Sequence, residues 1–319
     1  MGLDDYFGLG KPDEKKQSEQ QTNKFVDAFN EWEKFILSVK KPIFAGCWVI
    51  DFDFFDYLLQ SSMTVLEPYE HALPESIEHE VFLVEKLEKG YKPYAGFFFT
   101  ALLNVGSKNR KVTIPASYRD ISFLGYGLKK GTLELFADGK NEIGFRAEGG
   151  RIINHGYNSW NICMATRDGV FINHGQPAYF GTCAKGGIFV NHGKLHTFGS
   201  VAQGGIFINH GKIDYGFGGD AEAGLLVNYG EANDTLLNKG LCIDAGKIHY
   251  GGECITSHHN WWLRWIDFFR LPARIPGDKI LNDLIDALGI ETKKNDLDPR
   301  KVQSLTAQIQ KQCERYGKR

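Results

Sequence analysis

One heptapeptide recurs through the middle of the chain at a distance too regular for chance. Its copies are GRIINHG (150–156), GVFINHG (169–175), GIFVNHG (187–193), GIFINHG (205–211), GLLVNYG (224–230) and GLCIDAG (240–246), with starts 19, 18, 18, 19 and 16 residues apart. A weaker copy lies in GTLELFADG (131–139). Helical repeats need roughly 33–47 residues per unit, so this shorter period excludes them. It suits one coil of a parallel β-solenoid, in which each residue sits about 4.8 Å above its counterpart in the coil before. The fold class expected is mainly β: a single-stranded parallel β-solenoid of about six to seven coils. An α+β N-terminal region and C-terminal helices flank it.

Stacking lets each repeat position be read as a column. The column Ile153, Ile172, Val190, Ile208, Val227, Ile243 is wholly β-branched, suits a packed strand, and is expected to point inward. Successive side chains of a strand alternate between faces. The preceding column, Ile152, Phe171, Phe189, Phe207, Leu226, Cys242, is therefore expected to face outward. An apolar strip on a surface calls for a cover, either the chain's own helices or a second subunit. Phe171, Phe189 and Phe207 are accordingly candidate binding residues. The two flanking Gly columns fit corners that need a positive φ or a close backbone approach. Beyond the second Gly a further strand alternates. Leu195 and Ile213 are apolar, His196 and Asp214 are polar, and Tyr179 and Tyr215 are aromatic. The apolar and aromatic positions are expected inside.

Four regions follow. Residues 1–22 read as an N-terminal motif and flexible linker, in which Tyr6, Phe7 and Leu9 form a candidate docking peptide. Residues 23–108 read as α+β. An amphipathic helix is expected over 23–39, helices over 53–60 and 74–89, and strands over 43–50, 95–105 and 110–117. The solenoid is placed at 109–257 and a helical C-terminal cap at 258–319. Trp261, Trp262 and Trp265 make the start of that cap aromatic around much of a helix, which suits a core or an interface. Two amphipathic helices follow, the second with Asp298 as its N-cap.

Candidates for chemistry are few. A metal needs ligands converging from several directions, whereas His155, His174, His192 and His210 form a line, and Tyr229 continues it. The Asn column reads as a ladder of stacked amides. His196 and Asp214 on neighbouring coils, with His249 further along, are the candidates for general-base work. No nucleophile stands at a matching position. Cys254, His258 and His259 are the candidate metal ligands, at the junction of solenoid and C-terminal helices. On balance no cofactor or metal is expected. A net charge of −2 favours neither nucleic acid nor an anionic membrane. No run approaches the ~20 apolar residues of a membrane span. Six cysteines without a CxxC pair point to a reducing, cytoplasmic setting.

The segments AKGGIFVNHG, AQGGIFINHG and AEAGLLVNYG resemble the Gly-rich repeats of the GXGXG family of right-handed parallel β-helices, the type found as the C-terminal domain of glutamate synthase. The likeness spans 131–256, and the family's Gly-x-Gly-x-Gly run is absent from it. It implies a domain that supports or bridges other parts and does not itself catalyse. The function expected is a non-catalytic cytoplasmic scaffold or protein-interaction protein, with a protein partner or a second copy of the chain. The alternative is a metal-assisted or group-transfer enzyme with its pocket at the solenoid–helix junction.

Overall fold

The computed structural model describes residues 12–39, 52–88, 90–118, 121–138, 142–157, 161–233, 235–237, 240–250, 253–254, 268–272 and 278–317. Two helices come first, α1 (Pro12–Ser38) and α2 (Phe52–Leu66). A short strand β1 (Ser76–Ile77), a 3₁₀ turn at His79–Lys86 and helix α3 (Ala95–Asn104) follow. The solenoid then alternates between two sheets. Its first sheet takes β2 (Lys111–Ile114), β3 (Thr132–Leu135), β4 (Arg151–Asn154), β6 (Val170–Asn173), β8 (Ile188–Asn191), β10 (Ile206–Asn209), β12 (Leu225–Asn228) and β15 (Gly240–Asp244). Its second takes β5 (Asn161–Ile162), β7 (Tyr179–Phe180), β9 (Lys194–Phe198), β11 (Lys212–Ala221), β13 (Glu231–Asn233), β14 (Thr235–Leu237), β16 (Lys247–Tyr250) and β17 (Glu253–Cys254). Strand β18 (Phe268–Pro272) closes the first sheet beside β15. Helices α4 (Lys279–Thr292) and α5 (Pro299–Gly317) end the described chain.

The first sheet is parallel and in perfect repeat register: Phe189 lies between Phe171 and Phe207, and Asn191 between Asn173 and Asn209. The corner glycines are there for close approach. A Cβ on Gly193 would stand 2.0 Å from the Gly175 carbonyl oxygen of the coil before.

The coil faces the opposite way from the sequence expectation. Ile152, Phe171, Phe189, Phe207, Leu226 and Cys242 lie inside, in one core with Ile162, Phe180, Phe198 and Phe217 of the second sheet. Phe171, Phe189 and Phe207 stack at 4.9 and 4.6 Å between ring centroids. Phe180, Phe198 and Phe217 stack opposite them at 5.2 and 5.3 Å, with edge-to-face contacts between the two stacks. The β-branched column points outward instead. Ile172, Val190, Ile208, Val227 and Ile243 pack under Leu281, Ile285 and Leu288 of α4 and Val302, Leu305 and Ile309 of α5. Helices do cover an outward apolar strip, as the sequence required, but it is the β-branched one.

Four other elements differ from expectation, the first being Phe268–Pro272, which was expected within the helical cap and is strand β18, parallel to β15. Residues 95–104 are helical and not a strand. Every residue of α3 is buried, so the segment carries no polar face to reveal its period. In place of one helix over 74–89, the described residues there form β1 and a 3₁₀ turn. The stretch read as a linker from residue 12 onward is the start of α1. Helices α1, α2 and α3 share one core with the inner face of the first coils and close that end of the stack. Trp32 of α1 donates its indole N–H to Ser62 Oγ of α2 (2.9 Å), and Thr100 Oγ1 of α3 accepts from Gly125 N–H (2.8 Å). The C-terminal helices run over the outer face of the first sheet. The expected strand at 43–50 lies outside the described residues.

Candidate functional site

The Asn and His columns fall on opposite faces of the first sheet. Asn shares the face of Phe two residues before it and lies inside. Asn154, Asn173, Asn191 and Asn209 each donate from Nδ2 to the next Asn Oδ1 at 2.8 Å, and Asn228 donates to Asp244 Oδ1 at 3.0 Å. His faces outward. Phe136, His155, His174, His192, His210 and Tyr229 form one continuous ring stack, with neighbouring centroids 4.4–5.2 Å apart. Helix α4 covers its far end. His210 Nε2 lies 2.8 Å from Thr292 Oγ1, and the Tyr229 hydroxyl donates to the Ile285 carbonyl (2.6 Å). Burial and neighbouring imidazoles push His192 down to about 4 and His210 down to about 3. These rings are neutral packing surfaces at neutral pH. Among the described residues no three His, Cys, Asp or Glu side chains gather as metal ligands do.

Among the described residues, the second sheet has exposed side chains on its outer face. Tyr157, Gln176, Pro177, Ala178, Tyr179, Lys194, Leu195, His196 and Asp214 line a shallow cleft across successive coils. Tyr215 adjoins it because β11 carries an irregularity between Ile213 and Gly216, where one more residue is fitted than in β9. Its ring stacks on His196 with centroids 4.4 Å apart, and the edge of His196 meets Tyr179 at 6.1 Å. Tyr157, Tyr179 and Tyr215 are 59%, 38% and 70% exposed. Lys194 Nζ pairs with Asp214 Oδ2 (2.7 Å), and Lys212 Nζ lies 3.9 Å from Asp214 Oδ1.

The sequence candidates fare unevenly. His196 and Asp214 meet in this cleft, yet the carboxylate is held by lysines and the imidazole by tyrosine rings and Thr197 Oγ1 (3.4 Å). His249 pairs through its backbone with Asn233 in register, and with Cys254 across an antiparallel bridge. Phe171, Phe189 and Phe207 are buried in the solenoid and form no surface. Tyr6, Phe7, Leu9, His258, His259, Trp261, Trp262 and Trp265 lie outside the described residues. Cys163 is fully buried, and burial raises its thiol pKa well above the usual range, which leaves it inert.

The tyrosine ledge was placed on the wrong side from sequence. One signal locates it. The inward ring of the second sheet is five residues past the corner Gly at Phe180 and Phe198, and six past it at Phe217. Tyr179, four past its corner, therefore alternates with the inward Phe180, while Tyr215, two before the inward Phe217, is turned out by the irregularity in β11. No protein-family model matches the chain, and neither does any curated protein or solved structure. No helix among the described residues is long and apolar enough to cross a membrane.

Proposed function

We propose that the chain is a non-catalytic scaffold or protein-interaction protein whose working surface is the cleft of the second sheet. One observation carries this. Tyr157, Tyr179 and Tyr215, three of the large apolar side chains left exposed, gather around a single cleft while the other face of the solenoid is covered by helices. Exposed apolar patches on an otherwise ordinary surface mark interaction sites. Tyrosine suits them because it offers a rigid apolar ring with a polar tip. The likeness of the repeats to GXGXG β-helices supports the same role, as does the use of the Asn and His columns in packing. The cytoplasmic setting expected from the cysteines belongs to the same proposal.

Site-specific photo-crosslinking tests it. A photoreactive phenylalanine at position 179 or 215, introduced into the full chain in its native cells, is expected to give one shared protein adduct. The same group at Ile290, exposed on α4, is expected to give none. Adducts at 290 equal to those at 215, or none at either tyrosine, would contradict the proposal.

A further inference from the structure

The cleft combines an aromatic ledge of definite period with the ion pair of Lys194 and Asp214. Tyr179 pairs with Thr197, and Thr197 with Gly216, the neighbour of Tyr215. The two tyrosines thus belong to coils two steps apart, about 9.6 Å along the axis. A polyproline II helix completes one turn in three residues, about 9.3 Å. Residues i and i+3 of such a helix meet the two tyrosines in turn, and His196 fills the interval between them. We infer that the ledge takes an extended, proline-containing peptide lying along the solenoid axis, with an acidic residue near Lys194. This deepens the scaffold function proposed above and rests on it.

Three further features fit that ligand. Strand addition is closed to a partner here, because β7, β9 and β11 are each hydrogen-bonded to a strand on both sides. Recognition must come from side chains, as it does when proline-rich segments dock on aromatic grooves. A polyproline II backbone has no internal hydrogen bonds, so its carbonyls need donors. The tyrosine hydroxyls and the lysine ammonium groups are donors. Lys194 and Lys212 share Asp214, and Glu231 stands in register beside Lys212 on the next coil, so the positive end of this row lies at Lys194 and can meet an acidic side chain there.

The test is fluorescence anisotropy with the full chain and a labelled decaproline peptide carrying two glutamates at each end. Saturable binding is expected, with no binding of a Gly-Ser peptide of equal charge. Tyr179→Ala and Tyr215→Ala are each expected to weaken it about tenfold. Lys194→Met is expected to weaken it several-fold and to flatten its salt dependence. Thermal melts establish that each variant is folded. The inference is overturned by a lack of saturable binding up to millimolar protein, or by affinity unchanged in Tyr215→Ala. Binding of cellohexaose through the same tyrosines, without peptide binding, overturns it in favour of a carbohydrate. A crosslinked partner at positions 179 and 215 that holds no proline-rich segment overturns the peptide class and leaves the scaffold function standing.

Discussion

Asn191 makes four hydrogen bonds with two side-chain atoms. Its Nδ2 donates to Asn209 Oδ1 (2.8 Å) and to the Gly193 carbonyl (3.1 Å). Its Oδ1 accepts from Asn173 Nδ2 (2.8 Å) and from Gly193 N–H (3.1 Å). Only a side chain with a donor and an acceptor at fixed geometry can do both, which is why an amide recurs at this corner. Asn191→Ala is expected to cost about 1–3 kcal/mol for each buried group it strands. Asn191→Asp is expected to cost more, since it turns an oxygen toward two oxygens. A urea midpoint for Asn191→Asp equal to that of the parent would contradict the ladder. Strain sits one turn further on. The coils between Gly144 and Asp220 each pass a bend with two left-handed residues, such as Gly199 (φ 68°) and Val201 (φ 54°). A β-branched side chain pays about 1–2 kcal/mol there. Val201 is 44% exposed, so little packing is lost on removing it. Val201→Gly is expected to raise stability by about 1 kcal/mol in the same assay, and a lowered midpoint would show the bend unstrained.

The helical elements divide by how much of their surface is wet. The amphipathic helices α1, α2, α4 and α5 were legible because each keeps a polar face, and their buried residues fall at helical spacing. Helix α3 was not, being apolar on all sides. Its carbonyl end is instead held by Arg110, whose guanidinium donates to the Val105 carbonyl (2.7 Å) and the Glu70 carbonyl (2.8 Å). The hairpin of α4 and α5 is pinned by Glu291, a buried carboxylate. Lys294 (2.7 Å), the Asp298 N–H (3.1 Å) and Lys301 (2.9 Å) hold its pKa down to about 2. The docking of α4 over the histidine stack makes stability depend on pH. In the folded chain His192 and His210 bind protons only near pH 4 and 3, against an ordinary value of 6.5 when unfolded. The unfolded chain therefore takes up protons first as pH falls, so stability is full above 6.5 and declines below it. Urea midpoints at pH 7.5, 6.5 and 5.2 are expected to fall in that order, before most carboxylates titrate. His210→Phe is expected to flatten the decline. A midpoint constant across that window would contradict neutral, buried rings.

At the scale of the whole molecule, the repeat determined the architecture and left its facing undetermined. Both candidate inner columns are apolar, and a shift of one residue exchanges the two faces. The Asn column resolves the choice, because its buried amides share the face of the phenylalanines, and that required knowing the ladder lies inside. The tyrosine ledge was hidden for a related reason. Tyr179 directly precedes the inward Phe180, and the irregularity in β11 turns Tyr215 outward although it stands two residues before the inward Phe217. Everything proposed for the surface depends on this facing: phenylalanines within, tyrosines without. Urea unfolding of two single variants tests it most directly. Phe189→Ala is expected to lose about 3–5 kcal/mol, the cost of emptying a packed aromatic site. Tyr215→Ala is expected to stay within about 0.5 kcal/mol of the parent chain, as an exposed side chain should. A larger loss from Tyr215→Ala than from Phe189→Ala would mean that the coil faces the other way, and the binding surface would fall with it.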